Sequence, residues 1–227
     1  MGHAGERIFV MPTVMIIGAS RGIGLELARQ YAADGWCVHA TTRTLARPGD
    51  LGTIPGDITL HPLEVRDGPQ IAALAAAMAR TPIDVLLHNA GVMGRPYSAA
   101  EVMAINADAP IAVTEALLDA VVRSEQRKIV LMSSQVGARH GSTRSLGPYG
   151  DSKAALNDRL RASAPEWGRR GCLAVAMHPG WVRTDMGGSG APLTPRDSVD
   201  AMRAFIARLT PAHHGGFWTW DGRAHAW

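Results

Sequence analysis

The sequence predicts an α/β protein with one doubly wound parallel sheet of about seven strands and helices on both faces. Short apolar runs alternate with segments of helical spacing along the whole chain, which is typical of repeated βα units. The first run ends in a glycine-rich turn, and distinctive polar residues follow several of the others. A length of 227 residues suits one such domain. We expect a single domain over residues 12–227, preceded by an N-terminal arm at 1–11.

The first half of the chain contains four predicted strands. Residues 13–17 form an apolar run with β-branched members, as a central parallel strand requires. Helical spacing follows over 22–34, and Gly35 is a stop signal. No helix is expected after the second strand, because prolines and glycines interrupt that connection. The later strands are predicted at 37–41, 58–65 and 85–88, with a helix at 69–80.

The second half continues the alternation. A long helix is predicted over 148–169, and Pro165 is expected to kink it or end it early. The other predicted helices are 99–106, 107–123 and 198–209, and the other predicted strands are 129–132, 173–177 and 217–219.

Composition excludes several functional classes. Hydrophobic residues make up 46% of the chain, the formal charge is only +3, and the basic residues are dispersed, which argues against nucleic-acid binding. No apolar run reaches the ~18 residues of a membrane span. Cys37 and Cys172 are isolated and are predicted to be reduced core cysteines, so no metal site is expected. With no signal-peptide pattern, we expect a cytoplasmic protein.

The glycine turn has the spacing Gly-x-x-x-Gly-x-Gly, with glycines at Gly18, Gly22 and Gly24. A turn between a strand and a helix points bare backbone N–H groups, and the positive end of the helix dipole, at one position. Such a position suits a pyrophosphate. The competing interpretation is a glycine turn without a ligand.

Other strand ends supply residues suited to a dinucleotide. Arg43 follows the second strand, where an acidic residue would favour a free ribose hydroxyl, and Arg21 lies within reach of the same position. Two guanidinium groups favour NADP over NAD, although both could be ordinary surface arginines. Glu64 and Val65 are expected to flank the adenine. The small turn Asn89-Ala90-Gly91 allows a ribose to approach the backbone.

Tyr149 and Lys153 form the strongest local signal. Residues four apart share one face of a helix, so an ammonium would lie beside the phenol and lower its pKa. The phenol would then serve as an acid–base group. Ser134 follows the fifth strand and is placed to hold a substrate carbonyl. Asn106 is expected to hold a water that relays protons to Lys153.

These residues resemble the short-chain dehydrogenase/reductase family, and most closely its branch of C-factor and sniffer-type carbonyl reductases. The resemblance covers residue 12 onward and depends on GASRGIG, HNAGV, MSSQVG, YGDSK and HPGWVRTDMGG. It implies a Rossmann-type fold and a catalytic tetrad of Asn106, Ser134, Tyr149 and Lys153. The predicted cofactor-binding residues are Gly18, Ser20, Arg21, Gly22, Ile23, Gly24, Arg43, Glu64, Val65, Asn89, Ala90, Gly91, Tyr149, Lys153, Pro179, Gly180, Val182 and Thr184. By the same resemblance, Thr184 would bond the nicotinamide carboxamide.

Some positions depart from the family pattern. His88 stands where an Asn is usual, and Glu64 replaces the usual Asp. The loop before Tyr149 carries Arg139, His140 and Arg144, which would either meet an acidic substrate or lie in a solvated loop. Pro165 interrupts a helix that the family uses for dimerisation, so a homodimer and a homotetramer both stay open.

The sequence therefore predicts an NADP(H)-dependent carbonyl reductase acting on a small-molecule carbonyl or alcohol. Two alternatives stay open: an NADP-binding regulator of C-factor type with little catalysis, and an NAD-dependent alcohol dehydrogenase. The residues considered for the substrate pocket, or for plain core, are Met93, Trp181, Met186, Trp218 and Trp220.

Overall fold

The structure, a computed structural model, describes residues 11–140 and 147–227. Seven parallel strands form one sheet in the order β3-β2-β1-β4-β5-β6-β7. The strands are β1 (Thr13–Ile17), β2 (Cys37–Thr42), β3 (Ile58–Pro62), β4 (Val85–His88), β5 (Lys128–Met132), β6 (Leu173–His178) and β7 (Phe217–Thr219). The helices are α1 (Gly22–Ala33), α2 (Gly68–Ala77), α3 (Ala99–Met103), α4 (Ala109–Val122), α5 (Pro148–Arg169) and α6 (Pro195–Ala207).

Helices cover both faces of the sheet, which confirms the predicted fold class. Side chains alternate along β1, so Met15 and Ile17 belong to one hydrophobic core and Val14 and Ile16 to the other. The first core is closed by α2, α4 and α5, and the second by α1 and α6. The chain reverses its direction of winding between β1 and β4, where a cleft opens at the carboxyl ends of the strands.

Most predicted elements agree with the structure within a few residues, and two needed correction. The third strand was predicted to reach residue 65 but ends at Pro62, and the last bond to β2 is donated by the N–H of Leu63 to the carbonyl of Thr42 at 2.9 Å. Leu63, Glu64 and Val65 lie in the following loop, where they line the cleft. The two helices predicted at 99–106 and 107–123 form one continuous helical run, because a π-helical turn over Ala104–Asp108 joins α3 to α4.

The predicted bounds of the long helix, 148–169, are confirmed, and of the two effects expected of Pro165 an early end does not occur. Helix α5 continues through the proline to Arg169. Pro165 is exposed, so the carbonyl that loses its hydrogen bond lies on the solvent side of the helix. The next turn is anchored by Trp167, which is fully buried and donates from Nε1 to Glu115 Oε1 at 2.7 Å.

Both cysteines are free, but only Cys172 is buried; Cys37 is half-buried, which corrects its assignment to the core. Within the described ranges, no helix is long and apolar enough to cross a bilayer, and no cluster of His, Cys, Asp and Glu is arranged to hold a metal ion. Residues 1–10 of the predicted arm, and Arg144, lie outside the described residues.

Candidate active site

The glycine turn lies at the bottom of the cleft and leaves backbone groups accessible. Gly18 has φ +81°, and a Cβ on Gly24 would lie 2.1 Å from the carbonyl oxygen of Gly18. The turn therefore requires glycine at both positions. Helix α1 begins at Gly22, and its N-cap residue Arg21 makes no side-chain capping bond. The first N–H groups of α1 thus keep their capacity to bind an anion.

Two side chains hold this turn to the neighbouring strands. The backbone N–H of Gly18 donates to Thr41 Oγ1 at 2.9 Å, and Asn89 Nδ2 donates to the carbonyl of Gly18 at 2.8 Å. Asn89 was predicted at the site, whereas Thr41 was missed. Its position as a polar residue near the end of β2 could have indicated a role, because the site forms where the strands end.

The cleft has a volume of about 260 Å³, and most of the predicted site residues line it. The predicted residues on its walls are Gly18, Ser20, Arg21, Gly22, Ile23, Arg43, Glu64, Val65, Asn89, Ala90, Gly91, Tyr149, Lys153, Pro179 and Thr184. Further wall residues that the sequence did not single out include Tyr97, Met132, Ser133 and Asp185.

Five predicted residues lie behind the walls instead. Gly24 packs under the glycine turn, and Ser134 is buried with its Oγ accepting from the N–H of Val136 at 3.5 Å. Gly180 occupies a turn with φ +85°, and a Cβ there would lie 2.3 Å from Leu193 Cδ1. Val182 is buried and forms a β-bridge with Leu193. The fifth, Asn106, is fully buried next to the cleft.

Tyr149 and Lys153 lie together on the first turns of α5. Lys153 Nζ is 5.9 Å from the centre of the Tyr149 ring and donates to the carbonyl oxygen of Met132 at 2.8 Å. Complete burial lowers the pKa of the Lys153 ammonium to about 8. We expected this ammonium to lower the pKa of the phenol. Instead burial raises the pKa of Tyr149, and a hydrogen bond with Ser134 offsets part of that effect.

Asn106 fixes the loop that follows β4. Its Oδ1 accepts from the N–H of Val92 at 2.8 Å, and its Nδ2 donates to the carbonyl of Val92 at 2.7 Å and to Ser152 Oγ at 3.0 Å. Both amide N–H groups are therefore used within the protein. The π-helical turn carries Asn106, and Asn106 Oδ1 would lie 3.2 Å from a Cβ on Gly91. The side chain thus links the π turn, the loop after β4 and α5.

Two arginines that line the cleft differ in their partners. Arg43 is exposed and donates weakly to the hydroxyl of Tyr97 at 3.4 Å. Arg21 forms an ion pair with Asp185, with Nη1 2.9 Å from Oδ2. The carboxylate of Glu64, predicted beside the adenine, accepts from Arg66 Nε at 3.2 Å.

The loop after β6 folds back on itself. Thr184 Oγ1 accepts from the N–H of Gly187 at 3.1 Å, so the predicted carboxamide ligand takes part in the loop's own hydrogen bonding. The indole N–H of Trp181 donates to the carbonyl of Gly187 at 2.8 Å, and 56% of the residue is exposed. Met186 lines the cleft, whereas Trp218 and Trp220 pack against the second core.

His88 is an unusual residue at the end of β4. It is 1% exposed, and neither ring nitrogen has a hydrogen-bond partner among the described residues. Burial, and secondarily the charge of Lys153, lower its pKa to about 3. His88 is therefore neutral at physiological pH.

The fold and this cleft define an oxidoreductase of the dinucleotide-binding α/β type. A sequence profile of the short chain dehydrogenase family matches residues 12–192, and the chain belongs to that family. It is 35% identical over 164 residues to the C-signal of Myxococcus xanthus, which covers 68% of this chain and 99% of that protein.

Solved structures give the same family. The carbonyl reductase Sniffer of D. melanogaster superimposes with a TM-score of 0.87 at 27% identity, covering 96% of this chain and 100% of that one. An NADPH-bound carbonyl reductase from chicken fatty liver also has a TM-score of 0.87, at 29% identity, covering 96% and 99% of the two chains.

Proposed function

We propose that this protein is an NADPH-dependent carbonyl reductase, in which Tyr149 donates the proton to the carbonyl oxygen. The observation that carries the proposal is the position of Tyr149, next to Lys153, on the wall of a cleft whose floor is the glycine turn. Similarity to carbonyl reductases over nearly the whole chain supports the same reaction.

The residues of the cleft fit a dinucleotide phosphate. The floor at Gly18 and Gly24 has no room for side chains, and the N-terminus of α1 has no side-chain cap. These backbone N–H groups would hold the pyrophosphate. Arg43 lies at the end of β2, where a guanidinium accommodates a 2′-phosphate, and among the described residues no carboxylate pairs with it. This arrangement supports NADPH over NADH.

The protein's own groups then act on the carbonyl. Reduced nicotinamide, when bound, supplies the hydride. Ser134 and Tyr149 bond the carbonyl oxygen and stabilise the negative charge that develops on it. Burial keeps Tyr149 protonated at neutral pH, which is the state that a proton donor requires. Lys153 would hold the ribose beside the phenol, and Asn106, which approaches Gly91 from the same side as Lys153, fixes the loop after β4.

The rim of the cleft supports a neutral, apolar substrate. Three of the five large hydrophobic residues that are exposed in the described ranges come from the segments after β4 and β6, namely Met93, Trp181 and Met186. Met186 lines the cleft itself, and an exposed apolar side chain at that position favours contact with an apolar group. Arg139, one of the basic residues considered for an acidic substrate, forms an ion pair with Asp158. Its charge is therefore already neutralised.

The proposal is tested by following NADPH oxidation with a panel of carbonyl compounds. The panel pairs an uncharged aromatic aldehyde with its carboxylated analogue and includes ketones, quinones and a short aliphatic aldehyde. We expect turnover, with the uncharged aromatic members preferred. Protein that binds NADPH but turns over no member of the panel would contradict the proposal.

A second candidate function is that of an NADP-binding regulator with little catalysis. The similarity to the C-signal of Myxococcus xanthus favours it, because the match covers nearly the whole of that protein. The two functions are distinguished by Tyr149→Phe. A regulator would keep its biological effect in this variant, because that effect does not need the phenol. A reductase would lose its turnover, and with it any effect that depends on turnover.

A further inference from the structure

An ion pair crosses the cleft above the glycine turn. The loop after β6, residues 181–194, is here called the lid. At its centre the carboxylate of Asp185 pairs with Arg21 at 2.9 Å, and both residues line the cleft. A Cβ on Gly22 would lie 3.2 Å from Thr184 Cγ2, so the lid also touches the glycine turn directly. The lid therefore rests on the turn that is proposed to bind the pyrophosphate.

The lid is internally braced, which fixes the position of Asp185. Arg183 donates from its N–H to the carbonyl of Leu193 at 2.9 Å, and Leu193 donates back to the carbonyl of Trp181 at 3.2 Å. The N–H of Gly188 donates to the carbonyl of Thr184 at 2.9 Å, which closes a turn around Asp185. The carboxylate is thus held at the mouth of the cleft by backbone geometry rather than by its pairing with Arg21 alone.

We propose that Asp185 competes with the 2′-phosphate of the cofactor for the guanidinium of Arg21. This inference rests on the proposed function, in which Arg21 and Arg43 hold that phosphate. Arg43 has no carboxylate partner among the described residues, so it can bind the phosphate without breaking an ion pair. Arg21, by contrast, is already paired with Asp185. Binding of NADPH requires Arg21 to exchange one anion for another and brings the phosphate close to the Asp185 charge.

Asp185 is therefore a positioning residue that weakens the preference for the phosphorylated cofactor. The pair is largely exposed, with 70% and 75% of the two side chains accessible, so its effect is modest. NADH has no phosphate at the ribose hydroxyl and leaves the pair intact. The carboxylate should thus alter the affinity for NADPH and not that for NADH.

The experiment measures the dissociation constants of NADPH and NADH by fluorescence titration for the parent, Asp185→Asn, Arg21→Gln and the double variant. We expect Asp185→Asn to bind NADPH about 2- to 5-fold more tightly and to leave NADH unchanged. In the Arg21→Gln background, the same substitution should change NADPH affinity by less than about 1.5-fold. The matched control is Asp200→Asn, which removes an exposed carboxylate that pairs with Arg196 on α6.

Three results would overturn the inference: unchanged NADPH affinity in Asp185→Asn, equal changes for both cofactors, or the same tightening without Arg21. Equal changes for both cofactors would indicate a purely structural role for the lid. A parent protein that binds neither dinucleotide would instead overturn the proposed function, and this inference with it.

Discussion

The ammonium of Lys153 lies 5.9 Å from the centre of the Tyr149 ring, one helical turn along α5, and is tied to the carbonyl of Met132. The two groups share one buried corner of the cleft. Burial raises the pKa of the phenol and lowers that of the ammonium. Near neutral pH both groups therefore carry their protons, as reduction of a carbonyl requires.

The charge of Lys153 should limit activity in alkaline solution. Burial lowers its pKa to about 8, so the ammonium is present below that pH and is lost above it. We expect kcat/KM for carbonyl reduction to fall above about pH 8, and Lys153→Met to lose most activity at every pH. Lys128→Met, a control on β5 outside the cleft, should retain the alkaline decrease. A profile that stays flat to pH 10 would contradict this assignment.

Arg43 should determine the choice between NADPH and NADH. Replacing it with Asp removes a phosphate-binding guanidinium and adds a charge that repels the phosphate. We expect Arg43→Asp to weaken NADPH binding by about 10-fold or more, while NADH binding is maintained or improved. The control is Arg47→Asp, at an exposed position in the same loop outside the cleft. If the parent binds NADH tightly and NADPH weakly, the alternative of an NAD-dependent alcohol dehydrogenase gains support.

Asn106 should contribute to stability as well as to the site. Its replacement by Ala leaves the N–H and carbonyl of Val92 without their partner in a buried region. We expect the free energy of unfolding in urea to fall by about 2–4 kcal/mol, together with a reduced kcat. Ser152→Ala removes one hydrogen bond to the amide and the bond that Ser152 Oγ donates to the carbonyl of Tyr149, and it should cost about 1–2 kcal/mol because the loop after β4 keeps both its bonds to Asn106. Equal losses in the two variants would argue against Asn106 as the link between loop and helix.

His88 should make the fold sensitive to acid. In the native state its pKa is lowered to about 3, whereas in the unfolded chain an imidazole titrates near ~6.5. Below that higher value the unfolded state binds a proton that the native state does not. Stability is therefore full above about pH 6.5 and declines as the pH falls, by up to about 1.4 kcal/mol per pH unit for this residue.

The measurement is the free energy of unfolding in urea between pH 4.5 and 6.5, a range that spans roughly two units below the unfolded pKa. In His88→Asn the slope should be shallower by about one proton. The contributions of His178, whose pKa burial lowers to about 4, and of His39 and His61, whose pKa values burial also lowers, stay in place. The control is His140→Gln, at an exposed position, which should keep the parent slope. If the free energy of unfolding of His88→Asn depended on pH as steeply as that of the parent, the pKa of His88 would not be lowered in the native state.

The fold was largely predictable because its signals are local and periodic. Apolar runs and a glycine turn placed β1 and α1 correctly, since buried parallel strands need continuous apolar residues. The end of β3 at Pro62 was missed, because a single sequence does not show where the pairing of two strands stops. The bounds of α5 were predicted, but whether the helix ends early at Pro165 depends on which side of it faces solvent, and the sequence alone does not contain that information.

For the site, the sequence predicted most of the residues that line the cleft, but not their hydrogen-bond and ion-pair partners. Spacing placed Tyr149 and Lys153 on one helix face, yet the direction of the phenol pKa depends on the depth of the cleft. The pairing of Arg21 with Asp185 joins residues 164 positions apart and follows only from the packing of the lid. Thr41 and Tyr97 likewise reach the cleft through tertiary contacts.

The central claim is that the Tyr149 hydroxyl supplies the proton during carbonyl reduction, and Tyr149→Phe tests it most directly. NADPH oxidation is followed with the preferred carbonyl of the panel, and NADPH binding is titrated in the same preparation. We predict a loss of turnover of about 10²- to 10⁴-fold, with NADPH affinity within a few-fold of the parent. Parent-like turnover in Tyr149→Phe would contradict the account.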